Sequence, residues 1–300
     1  MDVGIIGVGT MGKNHVRVYS ELKSVHAVGV YDLNTAAAKE IGNQHGAEVY
    51  SSVEELLAHA DAVSVCVPTP LHAAVVRQVF AAKKSVLIEK PLCATAREAQ
   101  ELMKSAPRGI TIGVGHIERF NPIVAEIRKI VRAPVYVEMK RHNPASARVT
   151  GSTVVEDLMI HDIDILLNLF GMPSDIHSAG SPDVCSVLMK CGRIPVSLSA
   201  SRKSSKKIRM IYIEEEEFTI EGDFMTQEIT IYRKPGQYQF EAERYVQENI
   251  IEKVMVNKLE PLKRELATFI ECAGAGTPFP ITPEQAIDNQ LICETILAGL

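Results

Sequence analysis

The sequence predicts an α/β protein with two parts: an N-terminal doubly wound parallel sheet, followed by a C-terminal α+β domain that contains a mostly antiparallel open sheet. Strand-like apolar runs and helix-like segments alternate throughout residues 1–115, an order typical of a parallel sheet with helices on both faces. After residue 184, strand-like runs follow one another without helices between them, which indicates an antiparallel or mixed sheet. We therefore predict one domain at residues 1–117 and a second at residues 118–300.

The first predicted strand, residues 2–6, leads into a glycine-rich loop of the form G-x-G-x-x-G. Gly7 permits a tight turn after the strand, Gly9 lets a pyrophosphate approach the backbone, and Gly12 lets the following helix pack closely against the strand. The helix that starts here directs free backbone N–H groups at such phosphates. The loop residues that we expect to contact a dinucleotide are Gly7, Gly9, Thr10, Met11 and Gly12.

The second apolar run, residues 25–31, ends at Asp32, 20 residues after Gly12. A carboxylate at this place in a Rossmann fold is positioned to bind a ribose 2′-hydroxyl, and it would repel the 2′-phosphate of NADP. The next two residues, Leu33 and Asn34, supply no arginine to receive such a phosphate. We therefore predict a Rossmann domain that binds NAD. The alternative is a glycine turn of a parallel sheet that holds no ligand.

The remaining elements of the first domain follow in order as apolar runs and capped helices. A continuous apolar run at residues 62–67 is typical of a parallel strand that is buried on both faces. Ser52 with Glu55, and Thr95 with Glu98, form the capping-box pattern that starts a helix. The other predicted helices are residues 13–22, 36–44 and 73–82, and the other predicted strands are residues 85–88 and 110–114.

Polar residues follow several of these predicted strands. Ligands of an open α/β sheet bind beyond the carboxyl ends of its strands, so we expect these residues to face the dinucleotide. Lys90 comes directly after a buried run, where partial desolvation suits an amine to hold or relay a hydroxyl proton. A surface lysine paired with Glu89 is an equal alternative on position alone. The candidates at the strand ends, besides Asp32, are Pro68, Thr69, His72, Glu89 and Lys90.

The second domain begins with a predicted helix at residues 122–131 and a predicted strand at residues 134–141. A longer helix is predicted over residues 153–170, because Gly171 and Pro173 form a usual stop signal. The strand-like runs that follow are residues 184–190, 195–201, 208–213, 217–221 and 228–232, and two closing helices are predicted at residues 258–273 and 283–298.

The long helix carries two candidate catalytic groups. Asp157 and His161 are four residues apart, so both lie on one face of an α-helix, with Asp164 a turn further on. A carboxylate one turn from an imidazole can fix its tautomer and make it a better general base. The alternative is a structural ion pair or a buried hydrogen bond. We predict no metal site, because no second histidine lies at ligand spacing.

Arg119 and Asn121 lie just past a predicted strand end, where they can hydrogen-bond sugar hydroxyls, a carboxylate or a phosphate. The alternative is that they cap the helix that begins near Pro122. A basic cluster at residues 202–209 can hold a diphosphate, or it can be a solvated loop between strands.

Composition excludes several other classes of protein. A net charge of −5 over 300 residues gives no general reason to expect nucleic acid or an anionic membrane as a partner. No apolar stretch reaches the roughly 18 residues of a membrane span, and we expect no signal peptide, because the N-terminus is already the first strand. The six cysteines are scattered, so we expect buried free thiols in a cytoplasmic protein.

Taken together, these motifs resemble the Gfo/Idh/MocA family of NAD(P)-dependent sugar and polyol oxidoreductases. The resemblance rests on the glycine loop, on Glu89-Lys90-Pro91 and on the run from Asp157 through His161 to Asp164, and it covers essentially the whole chain. It implies that Lys90 and the Asp157/His161 pair meet over the nicotinamide and take a hydroxyl proton while a ring carbon gives up hydride. It also implies that the open sheet of the second domain lines the substrate pocket and forms homodimers or homotetramers.

Within this family, residues 115–122 resemble members that oxidise UDP-N-acetylglucosamine. That resemblance implies oxidation of the 3-hydroxyl to a 3-keto sugar, with a substrate site formed by Lys90, Arg119, Asn121 and His161. Two alternatives stay open: a free-sugar or inositol dehydrogenase with the same catalytic residues, and a non-catalytic NAD-binding sensor. A sensor would have no need of lysine, aspartate and histidine together.

Overall fold

The computed structural model describes residues 1–144, 151–234, 239–241, 244–246 and 250–300 of the chain. The chain divides into two units, each with its own hydrophobic core. One unit comprises Met1–Phe120 and Glu260–Leu291, and the other comprises Asn121–Leu259 and Ile292–Leu300.

The first unit is built on a six-stranded parallel sheet. Its strands are Asp2–Ile6 (β1), Ala27–Tyr31 (β2), Glu48–Val49 (β3), Ala62–Val65 (β4), Ser85–Glu89 (β5) and Ile112–Gly115 (β6). They lie in the order β3-β2-β1-β4-β5-β6, and each neighbouring pair is parallel. Every residue of β4 is buried, as its continuous apolar run predicts. The doubly wound parallel sheet predicted for the N-terminal part is therefore confirmed.

Five helices connect these strands within the described residues, and two of them begin at the predicted capping boxes. They are Thr10–Glu21 (α1), Thr35–His45 (α2), Val53–His59 (α3), His72–Ala81 (α4) and Ala96–Met103 (α5). The Ser52 hydroxyl accepts the N–H of Glu55 at 3.1 Å, and the Thr95 hydroxyl accepts the N–H of Glu98 at 3.1 Å. Helix α1 starts earlier than predicted, because it begins within the glycine loop rather than after it.

The second unit is built on an eight-stranded, mostly antiparallel sheet, which confirms the predicted α+β architecture. The strands of this part of the chain are Tyr136–His142 (β7), Pro173–Ser181 (β8), Val184–Cys191 (β9), Ile194–Ser201 (β10), Ile208–Glu214 (β11), Phe218–Asp223 (β12), Glu228–Arg233 (β13), Gln239–Glu241 (β14), Arg244–Val246 (β15) and Ile250–Val254 (β16). The sheet order is β16-β13-β12-β11-β7-β10-β9-β8, with β7 and β10 parallel, and β14 and β15 form a separate pair.

One face of the second sheet is buried and the other is open. In β9, Cys185, Val187, Met189 and Cys191 are buried and the residues between them are exposed. Helices Pro122–Ile130 (α6) and Ile160–Phe170 (α7) contribute apolar side chains to the same core as the buried face. Leu188, on the open face, is 56% exposed. This alternation is what period-two patterning produces in a strand with one solvated face.

The helix predicted over residues 153–170 has two parts. Val155–Met159 form a π-helical turn, and α7 continues the helix in α-helical geometry. Thr153 starts the helix: its hydroxyl donates to Glu156 Oε2 at 2.8 Å. The prediction of one uninterrupted α-helix was wrong at the first turn, because a single widened turn leaves the apolar spacing of the rest of the helix unchanged.

Residues 260–291 belong to the first unit, although the predicted boundary at residue 118 assigned them to the second domain. Two helices close the chain, Pro261–Ala275 (α8) and Pro283–Ala298 (α9). Apolar residues of α8, including Leu266 and Phe269, pack in the core of the first unit. Helical periodicity predicts that α8 buries one face, but it does not indicate which core receives that face.

The six cysteines are free thiols, and Cys93, Cys185, Cys191 and Cys293 are buried. Burial raises the pKa of Cys93 to about 12, so its thiol stays protonated near neutral pH. No helix within the described ranges combines the length and apolar character that a membrane crossing requires.

Candidate active site

The first unit contains a cleft of about 800 Å³ at the carboxyl ends of β1, β2, β4 and β5. Ligands of open parallel sheets bind at this edge, and the volume is within the range of small-molecule sites. All of the predicted cofactor residues except Gly12 line the cleft, namely Gly7, Gly9, Thr10, Met11, Asp32, Pro68, Thr69, His72, Glu89 and Lys90.

The three glycines of the loop have different surroundings. Gly7 has a φ of +93°, and a Cβ there would lie 2.9 Å from the backbone of Cys66 and Val67. A Cβ on Gly12 would lie 1.9 Å from the Gly7 carbonyl oxygen. A Cβ on Gly9 would meet no described atom within 4 Å. The fold therefore requires glycine at positions 7 and 12, and Gly9 leaves open space in which a pyrophosphate fits.

Asp32 is held rigidly at the end of β2. Its Oδ2 accepts the N–H of Val8 at 2.8 Å, and its Oδ1 accepts the N–H of Asn34 at 2.8 Å. The carboxylate therefore links the glycine loop to the start of α2. It lines the cleft with its remaining lone pairs available to a ribose hydroxyl, so the site fits the NAD that the sequence predicts.

His72 joins two loops of the cleft. Its Nδ1 lies 3.0 Å from the carbonyl oxygen of Pro91, and its Nε2 lies 2.9 Å from that of Val67. The ring is 1% exposed. The structure thus gives this predicted cofactor residue a structural contact on both sides of the ring, between the loop after β4 and the loop after β5.

Glu89, at the end of β5, forms a buried pair with His15. The His15 Nε2 atom lies 2.8 Å from Glu89 Oε1, and His15 is 0% exposed. Sequence reasoning missed His15. Its only signal is a polar residue on the face of α1 that also carries the buried Gly12 and Tyr19.

Lys90 follows Glu89 and lines the cleft in a half-buried position. Its backbone N–H donates to Glu89 Oε2 at 3.3 Å. Cys66 also lines the cleft, but burial, with smaller contributions from Glu89 and Glu265, raises the pKa of its thiol well above the usual value. A protonated thiol is a weak nucleophile, so Lys90 is the better candidate for chemistry at this edge.

Asp157 and His161 belong to the second unit, on the π-helical turn and on α7 respectively. Asp157 lies within the π turn and His161 at the second residue of α7, so a contact between their side chains stays a prediction. Asp157 Oδ2 lies 3.8 Å from Arg202 Nη2, the first residue of the predicted basic cluster. Arg202 Nη1 also lies 3.6 Å from Asp183 Oδ1. This cluster therefore begins with a partly buried arginine between two carboxylates.

The residue after His161 forms a buried ion pair that the sequence analysis did not identify. Asp162 Oδ1 accepts two hydrogen bonds from Arg141, at 2.9 Å from Nε and 2.7 Å from Nη2. Both residues are 1% exposed, and the Arg141 guanidinium lies 5.5 Å from the ring centroid of Phe224. This pair fixes the start of α7 against β7.

Arg119 and Asn121 lie in different units. Arg119 Nη1 donates to Gln285 Oε1 at 2.7 Å within the first unit. Asn121 is 2% exposed, caps α6 by accepting the N–H of Ile123, and donates to the carbonyl oxygen of Phe224 at 3.0 Å. For Asn121 the geometry matches the capping alternative, and a contact of either residue with substrate stays a prediction.

The described side chains include no group of three or more His, Cys, Asp or Glu residues placed to hold a metal ion. The cleft of the first unit can bind a dinucleotide and place an amine beside it. Within the second unit, the π turn carries the carboxylate of Asp157 and α7 carries the imidazole of His161.

Comparison with known proteins places these features in a family context. The sequence model of the Gfo/Idh/MocA oxidoreductase family, described as an NAD-binding Rossmann fold, matches residues 1–116. The chain is 33% identical over 244 residues to UDP-N-acetylglucosamine 3-dehydrogenase of Acidithiobacillus ferrooxidans, an alignment that covers 78% of this chain and 77% of that protein. It is 31% identical over 174 residues to inositol 2-dehydrogenase of Cereibacter sphaeroides, covering 55% of this chain and 52% of that protein.

Solved structures give a consistent result. The structure of UDP-N-acetylglucosamine 3-dehydrogenase GnnA from Acidithiobacillus ferrooxidans has a TM-score of 0.90 and 28% identity, covering 100% of this chain and 97% of that chain. A levoglucosan dehydrogenase in complex with NADH and levoglucosan has a TM-score of 0.84 and 18% identity, covering 100% of this chain and 96% of that chain. At 18% identity, the similarity to levoglucosan dehydrogenase shows a shared fold alone.

Proposed function

Because this chain belongs to the Gfo/Idh/MocA family of NAD-binding oxidoreductases, we propose that it oxidises the 3-hydroxyl of UDP-N-acetylglucosamine to a 3-keto sugar. The observation that carries the proposal is the position of Lys90. It lines a cleft suited to a dinucleotide, in a chain that is 33% identical to a UDP-N-acetylglucosamine 3-dehydrogenase.

In this mechanism the C–H and O–H bonds of one secondary alcohol break and a C=O bond forms. When bound, NAD would supply the acceptor for the hydride that the ring carbon loses. The glycine loop and Asp32 would hold the dinucleotide at its pyrophosphate and ribose. His161, oriented by Asp157, takes the hydroxyl proton, and Lys90 polarises the hydroxyl or relays that proton. Arg119 and Asn121 are the further residues that we propose for substrate binding.

The mechanism requires that the Lys90 amine and the His161 imidazole reach the same substrate oxygen. Lys90 belongs to the first unit and His161 to the second, so their convergence remains a prediction. A crystal structure with NADH and UDP-N-acetylglucosamine tests it. We expect both nitrogens at about 2.6–3.2 Å from the 3-oxygen, the reach of a hydrogen bond. Nitrogens that face separate environments would contradict the mechanism.

We also propose that the open face of the second sheet forms homodimers or homotetramers and lines the substrate pocket. The exposed Leu188 and Tyr232 on that face support self-association. The six free thiols support a reducing compartment, the cytoplasm.

The substrate is tested by measuring NADH formation with a panel of UDP-sugars and free polyols, with NAD and NADP in parallel. We expect turnover with UDP-N-acetylglucosamine and NAD. Turnover with inositol or free sugars alone would favour the second candidate, a polyol dehydrogenase, which the 31% identity to an inositol 2-dehydrogenase supports. NAD binding without turnover on any sugar would favour a non-catalytic sensor.

Replacing Lys90 by Met tests its catalytic role. We expect the Lys90→Met variant to bind NAD with unchanged affinity, because the change leaves the glycine loop and Asp32 intact. We expect kcat to fall by about 10²- to 10⁴-fold, the usual contribution of a positioned acid or base. The measurements are calorimetric titration with NAD and steady-state turnover. Retained turnover would remove Lys90 from the mechanism.

A further inference from the structure

The segment of residues 89–93 carries Lys90, and three buried polar side chains from three helices hold it. His15 lies on α1, His72 on α4 and Gln290 on α9, all within the first unit. They are 0%, 1% and 5% exposed. We propose that these three side chains are positioning residues that fix the Lys90 amine for catalysis, an inference that rests on the proposed function of that amine.

His15 acts on Lys90 through a single carboxylate. Its Nε2 lies 2.8 Å from one oxygen of Glu89, and the other oxygen of Glu89 accepts the backbone N–H of Lys90 at 3.3 Å. The Glu89 side chain thus connects α1 to the backbone of the lysine itself. A change in the His15 side chain therefore reaches Lys90 through two successive hydrogen bonds.

His72 holds the residues that follow Lys90. Its Nδ1 lies 3.0 Å from the carbonyl oxygen of Pro91 and 3.3 Å from that of Leu92, and its Nε2 lies 2.9 Å from that of Val67. Carbonyl oxygens only accept hydrogen bonds, so each ring nitrogen must donate in order to hold its partner. A neutral ring donates on one side, and a protonated ring donates on both. The imidazole connects the loop after β4 to the segment that carries the lysine.

Gln290 holds the end of the segment. Its Nε2 donates to the carbonyl oxygen of Cys93 at 2.8 Å, across 197 positions of sequence. Its Oε1 is buried and has no hydrogen-bond partner among the described residues. A leucine at this position has a similar size and leaves no buried side-chain acceptor unpaired. The leucine also removes the donor of the Cys93 carbonyl, so a control that loses the same kind of bond is needed to separate positioning from stability.

The contacts of these three residues affect catalysis because the lysine side chain is long and flexible. An amine on a four-carbon stem reaches a defined point only if the backbone beneath it is fixed. A misplacement of about 1 Å can lower the rate of an enzyme by about 100-fold. Hydrogen bonds to the Glu89 side chain and to the carbonyl oxygens of Pro91 and Cys93 hold the segment on both sides of position 90.

The first test is Gln290→Leu with Thr111→Val as the matched control. We expect kcat with NAD and UDP-N-acetylglucosamine to fall about 10- to 100-fold in Gln290→Leu, with the KM for NAD within about twofold of the wild type. The deuterium isotope effect on the reacting carbon should rise, because the chemical step becomes slower. The thermal unfolding midpoint should fall by no more than it does in Thr111→Val, which also removes the side-chain donor of a backbone carbonyl.

Thr111→Val also removes a hydrogen bond from a side chain to a backbone carbonyl, but at the amino ends of the strands, away from the cleft. Thr111 is 4% exposed, and its hydroxyl donates to the carbonyl oxygen of Thr277 at 3.0 Å just before β6. We expect an unchanged kcat and an unchanged isotope effect in this control. A wild-type kcat in Gln290→Leu, together with an inactive Lys90→Met, would overturn the proposal.

A second test separates the two sides of His72. The amide nitrogen of asparagine falls near the position of Nδ1, and that of glutamine falls near Nε2. His72→Asn therefore keeps a donor for Pro91, whereas His72→Gln keeps a donor for Val67. We expect kcat in His72→Asn to exceed kcat in His72→Gln by about tenfold. Equal values in two folded variants would contradict a positioning role for His72.

Hydrogen–deuterium exchange separates failure of this inference from failure of the proposed function. If the wild type oxidises no sugar, the proposed function is wrong, and the backbone amides of residues 89, 90, 92 and 93 still report whether the segment is held. Faster exchange of this segment in Gln290→Leu than in Thr111→Val supports the proposal that Gln290 holds the segment in place. Equal exchange in the two variants overturns it.

Discussion

Gly9 and Gly12 belong to one loop, but the atoms around them differ. A Cβ on Gly12 would overlap the Gly7 carbonyl oxygen at 1.9 Å, and a Cβ on Gly9 would meet no described atom within 4 Å. Gly12 therefore serves the packing of α1 on the loop. Gly9 keeps open a space that a bound phosphate would occupy. At the scale of single residues, one pattern of glycines thus combines two separate physical requirements.

This difference predicts that one alanine substitution weakens NAD binding and the other lowers stability. Gly9→Ala should raise the Kd for NAD by about tenfold or more, because the methyl group occupies the phosphate space, with unfolding unchanged. Gly12→Ala should lower the free energy of unfolding by about 1–3 kcal/mol through overpacking. Calorimetric titration and urea unfolding measure the two effects. A destabilised Gly9→Ala protein would show that the protein itself, and not the ligand, needs this space.

Sequence reasoning identified side chains that line the cleft, but it missed the buried residues His15 and Gln290 that contact the segment of residues 89–93. Asp32 and Lys90 could be predicted because each follows an apolar run that ends at a known edge of a parallel sheet. His15 and Gln290 could not, because their partners depend on tertiary packing. The hydrogen bond of Gln290 joins residues 197 positions apart, and no local pattern specifies such a contact.

At the scale of elements, the helix that carries Asp157 and His161 is fixed by two features near its start. The π-helical turn Val155–Met159 contains Asp157, whose Oδ2 lies 3.8 Å from Arg202 Nη2. The Arg141–Asp162 pair then connects β7 to the first turn of α7, next to His161. The sequence predicts that a helix exists here, because its apolar spacing and its glycine stop are local. It does not predict the widened turn or the ion pair.

Breaking this ion pair should destabilise the second unit. Asp162→Asn removes the negative charge that accepts two hydrogen bonds from the buried Arg141, and we expect a loss of about 3–5 kcal/mol in the free energy of unfolding. The double variant Arg141→Met with Asp162→Leu should recover part of that loss, because neither charge of this pair is then buried. Urea unfolding of the three proteins measures the effect. Equal stability of Asp162→Asn and wild type would show that the pair contributes little.

At the scale of the whole molecule, the open face of the second sheet determines the proposed self-association. Leu188 is 56% exposed on this face, and Tyr232 is 38% exposed. The alternation that exposes them is readable from the sequence, because each strand buries every second residue. The sequence does not identify the partner that would bind this face, because exposure alone does not specify a partner.

A charge on this face should separate the subunits. We expect Leu188→Glu to shift the protein to a monomer in light scattering, because a buried carboxylate at an interface is costly. Met172→Glu is the matched control: Met172 is also 56% exposed but lies outside the sheet, just before β8. A wild type that is already monomeric, or a Leu188→Glu protein that remains an oligomer, would contradict the proposed interface.

The return of residues 260–291 to the first unit has a consequence for biosynthesis. A protein emerges from the ribosome N-terminus first, and domains generally fold as units during synthesis. The first unit lacks Leu266 and Phe269 of its core until translation has passed residue 269. It therefore completes folding only after the strands of the second sheet have been translated, although its glycine loop precedes them in the chain. A nascent chain stopped near residue 120 would expose this unfinished core to chaperones and proteases.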